Sequence, residues 1–131
     1  MKVDRRAVAA VFAGGVVGTL ARVGLIRLFP SGEACWPWVV LAINISGTLV
    51  LGYVATTLMR NRPLSTYRGR FITTGFCGAY TTFSTMQLEL LDMWDAHRYG
   101  LAAGYLGASV VCGYVAIHMS TSLARDARVS G

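Results

Sequence analysis

The sequence predicts an all-α membrane protein with four transmembrane helices in a single domain, residues 1–131. The chain is 54% hydrophobic and only 14% charged, whereas soluble domains average about 25% charged residues. Four apolar stretches each approach the roughly 20 helical residues that cross a bilayer core. They cover about residues 7–29, 36–59, 71–91 and 99–122. The connections between them are short and show no second domain.

The first apolar stretch follows a basic start, which is also the pattern of a signal peptide. It continues through Leu28 without a clear cleavage site, so we expect a retained span. Gly14 and Gly18 form a GxxxG pair, as do Gly100 and Gly104. Small residues at this spacing let helices approach closely in lipid, so they predict compact packing within and between subunits.

Positive charges are distributed unevenly along the chain, which has a formal net charge of +6. With four spans, both termini and the middle loop lie on one side of the membrane. Nine of the twelve Lys and Arg residues belong to that side, and only Arg27 and Arg98 to the other. The nine are Lys2, Arg5, Arg6, Arg60, Arg62, Arg68, Arg70, Arg125 and Arg128. The positive-inside rule therefore predicts cytoplasmic termini in the inner (plasma) membrane.

The residues that usually carry enzymatic chemistry are sparse. The three cysteines are far apart and form no CxxC pair, which indicates neither a disulfide framework nor a zinc site. The two histidines occur in no metal-binding spacing, and no nucleophile has an evident base. We therefore expect a protein that is not an enzyme.

The stretch GFCGAYTTFSTM, residues 75–86, concentrates glycines and hydroxyl side chains inside the third span. Gly75 and Gly78 weaken helix formation, and the threonines can bond backbone carbonyls. A helix break is tolerated in lipid only where the backbone is buried in protein or lines a cavity. Freed carbonyls suit a bare cation, and hydroxyl donors suit an anion. The plainer alternative is that these residues only pack helices.

Arg22 is an ionisable residue inside the first span. A charge at membrane depth is costly and needs a counter-charge, backbone carbonyls or a water-filled cavity. One interpretation is that Arg22 extends to the lipid headgroups. The other is that it attracts an ion directly.

Three motifs together resemble the CrcB/Fluc family of fluoride channels. They are GVVGTLARVGL at 15–25, NISGT at 44–48 and GFCGAYTTFSTM at 75–86, and the likeness extends over about residues 10–120. The resemblance implies four-helix subunits that assemble as an antiparallel dimer with two pores and a broken third helix. It also implies passive export of cytoplasmic F⁻, which protects the cell against fluoride toxicity.

The resemblance further implies roles for individual residues. Backbone carbonyls of Gly78 and Thr81 would hold a structural Na⁺ at the dimer interface, with Arg22 and Glu89 in supporting roles. The implied fluoride pore consists of Asn44, Phe83, Ser84, Thr85, Met86, Tyr105 and Ser109. Physical chemistry agrees, because amide and hydroxyl donors can replace fluoride's water and the positive edge of an aromatic ring can face an anion.

Two features depart from the family pattern. Met86 stands where the family usually has a second pore phenylalanine, and a thioether has no positive ring edge. The charge bias favours one orientation, whereas an antiparallel homodimer requires both. We therefore hypothesise pairing with a related, oppositely oriented subunit. Alternative functions are a non-conducting partner or assembly subunit, or a small four-helix multidrug exporter; the exporter class needs an acidic residue in its first span, which has none.

Overall fold

The computed structural model describes residues 4–60 and 66–127, and every regular element in those two ranges is helical. A π-helix of seven residues lies between two short α-helices, so that helical backbone continues from Thr66 to Tyr80. The elements in chain order are α1 Arg5–Leu28, α2 Trp38–Arg60, α3 Thr66–Arg70, the π-helix Phe71–Cys77, α4 Gly78–Tyr80, α5 Phe83–Asp95 and α6 Tyr99–Asp126.

Three of these helices are long and apolar enough to cross a membrane: Arg5–Leu28, Trp38–Leu58 and Tyr99–Asp126. They correspond to the first, second and fourth predicted spans, and they indicate a multi-pass membrane protein. The third predicted span corresponds to the π-helix, α4 and α5 taken together. α4 ends at Tyr80 and α5 begins at Phe83.

α1 packs against the π-helix and α4 through direct contact between backbones. A Cβ atom added at Gly14 would lie 2.9 Å from the Phe76 nitrogen, and one added at Gly75 would lie 2.6 Å from the Val11 carbonyl oxygen. Gly18 meets the carbonyl of Phe76 in the same way. The predicted close approach at Gly14 and Gly18 therefore occurs within the chain.

α2 packs against α6, and α5 joins them around the hydrophobic core. Gly52 of α2 faces Ser120, and an added Cβ would lie 2.8 Å from Ile117 Cδ1 of α6. The buried cluster that unites α2, α5 and α6 consists of Val40, Leu41, Met86, Met93, Ala102 and Tyr105.

The α1–α2 and α5–α6 connections meet at one end of the molecule. Arg98 Nη1 donates a hydrogen bond of 3.1 Å to the Ala34 carbonyl. Ala34 and His97 both adopt left-handed backbone, with φ of 50° and 56°, which is uncommon for residues other than glycine. This contact joins the two connections at the same end of the molecule.

The outer faces of α1 and α6 expose large apolar side chains. Phe12 is 72% exposed and Val110 is 65% exposed in the single chain. Gly100, Gly107 and Gly113 of α6 have no atom within 4 Å of an added Cβ, whereas Gly104 lies in ordinary contact with Trp36. Apolar surface of this extent is suited to lipid or to another subunit.

We expect Gly14→Ala to lower the free energy of unfolding by about 1–3 kcal/mol, because the added methyl group overlaps backbone atoms that cannot move aside. The neighbouring Gly15→Ala is the matched control, since no atom lies within 4 Å of its added Cβ. Gly15→Ala should be neutral or should stabilise by up to about 1 kcal/mol through helix propensity. Thermal unfolding of both variants in detergent measures the difference, and equal shifts would contradict the packing described above.

Candidate functional site

Two residues of extended backbone separate α4 from α5. Thr81 has φ −72° and ψ 150°, and Thr82 has φ −144° and ψ 113°. Helical structure then restarts with Thr82 as its N-cap, whose Oγ1 accepts a hydrogen bond from the Thr85 N–H at 3.1 Å. A threonine in this position satisfies one of the donors that every helix start leaves free.

Asn44 of α2 holds this extended segment with two hydrogen bonds. Its Nδ2 donates to the Thr82 carbonyl at 3.1 Å, and its Oδ1 accepts from the Thr82 N–H at 2.8 Å. Thr82 is only 6% exposed, so its backbone groups need partners other than water. The Asn44 amide keeps one N–H for a further acceptor.

The bonds to Thr82 change which carbonyls the helix satisfies. In an unbroken α-helix the Thr82 N–H would bond the Gly78 carbonyl, and the Thr85 N–H would bond the Thr81 carbonyl. Asn44 Oδ1 takes the first donor and Thr82 Oγ1 takes the second. The two carbonyls that the family resemblance implies for a cation, those of Gly78 and Thr81, are therefore among those that lose their helical donors between α4 and α5.

Arg22 of α1 contacts the carbonyl that lies between those two in sequence. Its Nε donates to the Ala79 carbonyl at 3.0 Å. The contact belongs to the expected class of carbonyl partners for an arginine inside a span. The guanidinium also lies at the carbonyl end of the helical backbone that finishes at Tyr80, where a positive charge is favourable.

The surroundings of the interruption between α4 and α5 include a carbonyl that is already bonded and an open side at Gly78. No group of three or more His, Cys, Asp or Glu side chains able to hold a metal occurs within residues 4–60 and 66–127. The Cys77 carbonyl already accepts from the Thr81 N–H and hydroxyl, at 3.0 and 2.9 Å. An added Cβ at Gly78 would have no neighbour within 4 Å.

The first residues of α5 point in different directions. Phe83 is 68% exposed, and Ser84 is also exposed. Thr85 is half-buried, and its hydroxyl accepts from Thr82 Oγ1 at 2.8 Å, which leaves its own hydrogen available. Met86 is only 8% exposed and packs in the core with Val40. In the single chain, therefore, Met86 lies in the subunit's interior while Phe83 faces outward.

Tyr105 and Ser109 occupy successive turns of α6 beside the core. Tyr105 is fully buried, and its hydroxyl donates to Glu89 Oε2 of α5 at 2.9 Å. The Ser109 hydroxyl donates to the Tyr105 carbonyl at 2.8 Å, within its own helix. The structure thus brings Glu89 and Tyr105 together. In a separate set of contacts, Arg22 and Asn44 both bind the backbone around the interruption between α4 and α5.

The sequence does not predict two of the contacts at the site. Asn44 binds Thr82, for which the sequence predicts no separate role. The position of Thr82 just before a helix start is the signal that could indicate its importance. The Ser46 and Tyr80 hydroxyls also lie 3.1 Å apart, connecting α2 to the end of α4. No sequence pattern indicated that pairing.

Comparisons with known proteins place this arrangement in a family. The family model described as "CrcB-like protein, Camphor Resistance (CrcB)" matches residues 9–121. The chain is 48% identical to "Fluoride-specific ion channel FluC 1" of Mycolicibacterium paratuberculosis, over 96% of each chain. It is 44% identical to the protein of the same name in Mycobacterium bovis, over 96% of each chain. It is 32% identical to "Fluoride-specific ion channel FluC 2" of Geobacillus kaustophilus, over 93% of this chain and 95% of that one. The resemblance drawn from the three motifs is confirmed, and the chain belongs to the CrcB family.

Proposed function

We propose that the chain is a subunit of a fluoride-selective channel that exports cytoplasmic F⁻ passively and so protects the cell against fluoride toxicity. The observation that carries this proposal is 48% identity, over 96% of both chains, to a protein named a fluoride-specific ion channel. The family is one of ion channels, so the chain is not an enzyme. The multidrug exporter is not supported, because α1 contains no acidic residue.

The proposed architecture treats α3, the π-helix, α4 and α5 as one membrane span that is interrupted at Thr81 and Thr82. Two such subunits would pack in antiparallel orientation and form two pores. Support comes from the open side of Gly78 and from the exposed apolar faces of α1 and α6. A break in lipid needs burial, and a second subunit would provide it.

The proposed fluoride path uses donors that are free in the single chain. Asn44 keeps one amide N–H, Thr85 keeps its hydroxyl hydrogen, and Phe83 presents an exposed ring. Ser84 of α5 supplies a further hydroxyl group. The hydroxyls of Tyr105 and Ser109 on α6 already donate, to Glu89 and to the Tyr105 carbonyl, and would line the proposed path without a free hydrogen. A dehydrated fluoride needs such donors to replace its water. Met86 would act on this path through the position of α5, because its own side chain is buried.

The proposed structural Na⁺ would be held by the carbonyls of Gly78 and Thr81. Bound there, it would supply a fixed positive charge near the two pores. Arg22 supports this arrangement, since it engages the intervening Ala79 carbonyl and leaves the other two for the cation.

The proposed orientation places both termini in the cytoplasm of the plasma membrane. It rests on the charge bias, part of which (Lys2, Arg62 and Arg128) lies outside the described residues. A chain so biased would pair with a related subunit of opposite orientation. A non-conducting partner is the second candidate function, and the buried Met86 in place of a second pore phenylalanine favours it.

Fluoride efflux from liposomes tests the pore. We expect Asn44→Asp to lower efflux at least about tenfold, because a carboxylate replaces the donor that bonds Thr82 and faces the anion. Phe83→Ile should also lower efflux, since it removes the ring edge. Phe29→Ile is the matched control, an exposed phenylalanine at the end of α1, and should leave efflux unchanged. Chloride efflux is measured in parallel. Indifference to both pore substitutions would favour the non-conducting partner.

Sodium dependence of stability tests the cation site without any flux measurement. A ligand that binds only the folded state raises the unfolding temperature as its concentration increases. We expect NaCl to do so and choline chloride not to. Asn44→Ala should abolish the difference, because the Thr82 N–H then loses its acceptor and the extended segment between α4 and α5 loses one of the contacts that hold it. Ser46→Ala, on the same helix but bonded to Tyr80 instead, should retain it. A sodium response that survives in Asn44→Ala would refute the assignment.

Mapping of both termini in cells that express only this chain tests the orientation. We expect nearly all molecules to have cytoplasmic termini, and fluoride efflux to require co-expression with an oppositely oriented relative. Removing positive charge by Arg68→Gln and Arg70→Gln should increase the inverted fraction. Equal populations in both orientations, with efflux from the purified chain alone, would eliminate the heterodimer hypothesis.

A further inference from the structure

Trp36 precedes α2 and packs against the buried part of α6. Its ring lies 5.8 Å from the ring of Tyr105 at 75°, an edge-to-face arrangement. It also covers Gly104, whose added Cβ would lie 3.6 Å from Trp36 Cζ3. Edge-to-face aromatic pairs have a preferred geometry, so they fix the orientation of a ring as well as burying it.

The Tyr105 ring, which Trp36 contacts, bears a hydroxyl group that makes a hydrogen bond. Tyr105 is completely buried, and its hydroxyl donates to Glu89 Oε2 at 2.9 Å. The direction of a tyrosine hydroxyl follows from the orientation of its ring. Trp36 therefore affects where the Glu89 carboxylate lies, although no hydrogen bond joins the two residues.

The loop that holds Trp36 is itself anchored. Arg98, just before α6, donates to the Ala34 carbonyl at 3.1 Å. The Trp36 carbonyl accepts from the Trp38 N–H at 3.0 Å, which ties the residue to the start of α2. Packing from Trp36 to Tyr105 thus connects an anchored surface loop to a carboxylate on α5.

We propose that Trp36 is a positioning residue for fluoride conduction, which keeps the Tyr105 hydroxyl on Glu89 and so fixes the position of that carboxylate beside the anion path. The proposal rests on the proposed channel function. Its physical basis is charge: a carboxylate released from its donor beside an anion path repels the permeating ion, whereas a tethered one has a fixed position.

The indole N–H has no part in this role. Within residues 4–60 and 66–127, Trp36 Nε1 is the one buried side-chain nitrogen or oxygen atom without a hydrogen-bond partner. A buried donor without an acceptor destabilises the fold. The ring is therefore what Trp36 contributes, and phenylalanine can replace it.

The experiment measures maximal fluoride efflux and the half-saturating fluoride concentration from liposomes, with the partner subunit present if the channel requires one. Trp36→Ala should lower maximal efflux about tenfold, the scale that coupling between packed neighbours can reach. Tyr105→Phe should lower it similarly, and the double variant should be no worse than either single one. Trp36→Phe should retain efflux within about twofold.

Trp94→Ala is the matched control, since Trp94 is a tryptophan of α5 that is 60% exposed and contacts the ring of Tyr99 instead of Tyr105; its efflux should equal that of the wild type. Unfolding temperatures in detergent distinguish a loss of folding from a loss of conduction. If Trp36→Ala does not fold, Trp36→Leu replaces it, because leucine keeps the apolar bulk without a ring edge.

Three outcomes would overturn the proposal: multiplicative losses in the double variant, a Trp36→Phe as impaired as Trp36→Ala, or equal effects of Trp36→Ala and Trp94→Ala. A wild-type chain that transports no fluoride with or without a partner would instead refute the proposed channel function, and the role of Trp36 with it.

Discussion

The pair of hydrogen bonds between Asn44 and the Thr82 backbone is the constraint on which the candidate site depends. Unpaired backbone groups are expensive in lipid, so a chain can leave the helical pattern only where other groups replace the lost bonds. Asn44 accepts the Thr82 N–H, which has lost its helical partner, and also donates to the Thr82 carbonyl, while the Thr82 hydroxyl caps the helix that follows. Without the amide, the Thr82 N–H would lose its acceptor, and the extended segment between α4 and α5 would lose one of the contacts that hold it.

α1 fixes the other side of the same break. Gly14, Gly18 and Arg22 are spaced four residues apart, so they lie along one face of the helix. The two glycines allow the π-helix to approach until backbone atoms touch, and that approach brings Arg22 within 3.0 Å of the Ala79 carbonyl. A larger residue at either glycine would separate the helices and withdraw the guanidinium as well. The same face of α1 therefore determines both how closely the π-helix packs and where the Arg22 guanidinium lies.

Sequence patterns predicted much of the helical arrangement because lipid imposes strong rules on length and polarity. Three of the four predicted spans, the close approach at the α1 glycines and the need of Arg22 for a partner such as a carbonyl all follow from local composition. The partner of Asn44 does not, because Thr82 lies 38 residues away and its selection depends on how α2 meets the break. The sequence also does not predict the π-helix or the Trp36–Tyr105 contact, because each depends on tertiary packing rather than on local propensity.

The burial of Met86 changes how its departure from the family pattern should be understood. A missing pore aromatic ring would weaken an anion contact directly, but Met86 packs in the core with Val40 and Leu41. A flexible side chain in that position affects how firmly α5 is held against α2 and α6. Its influence on Phe83 and Thr85 would then be indirect, through the helix that carries them. The hypothesis of an asymmetric pair of subunits consequently depends less on Met86 than on the distribution of positive charge.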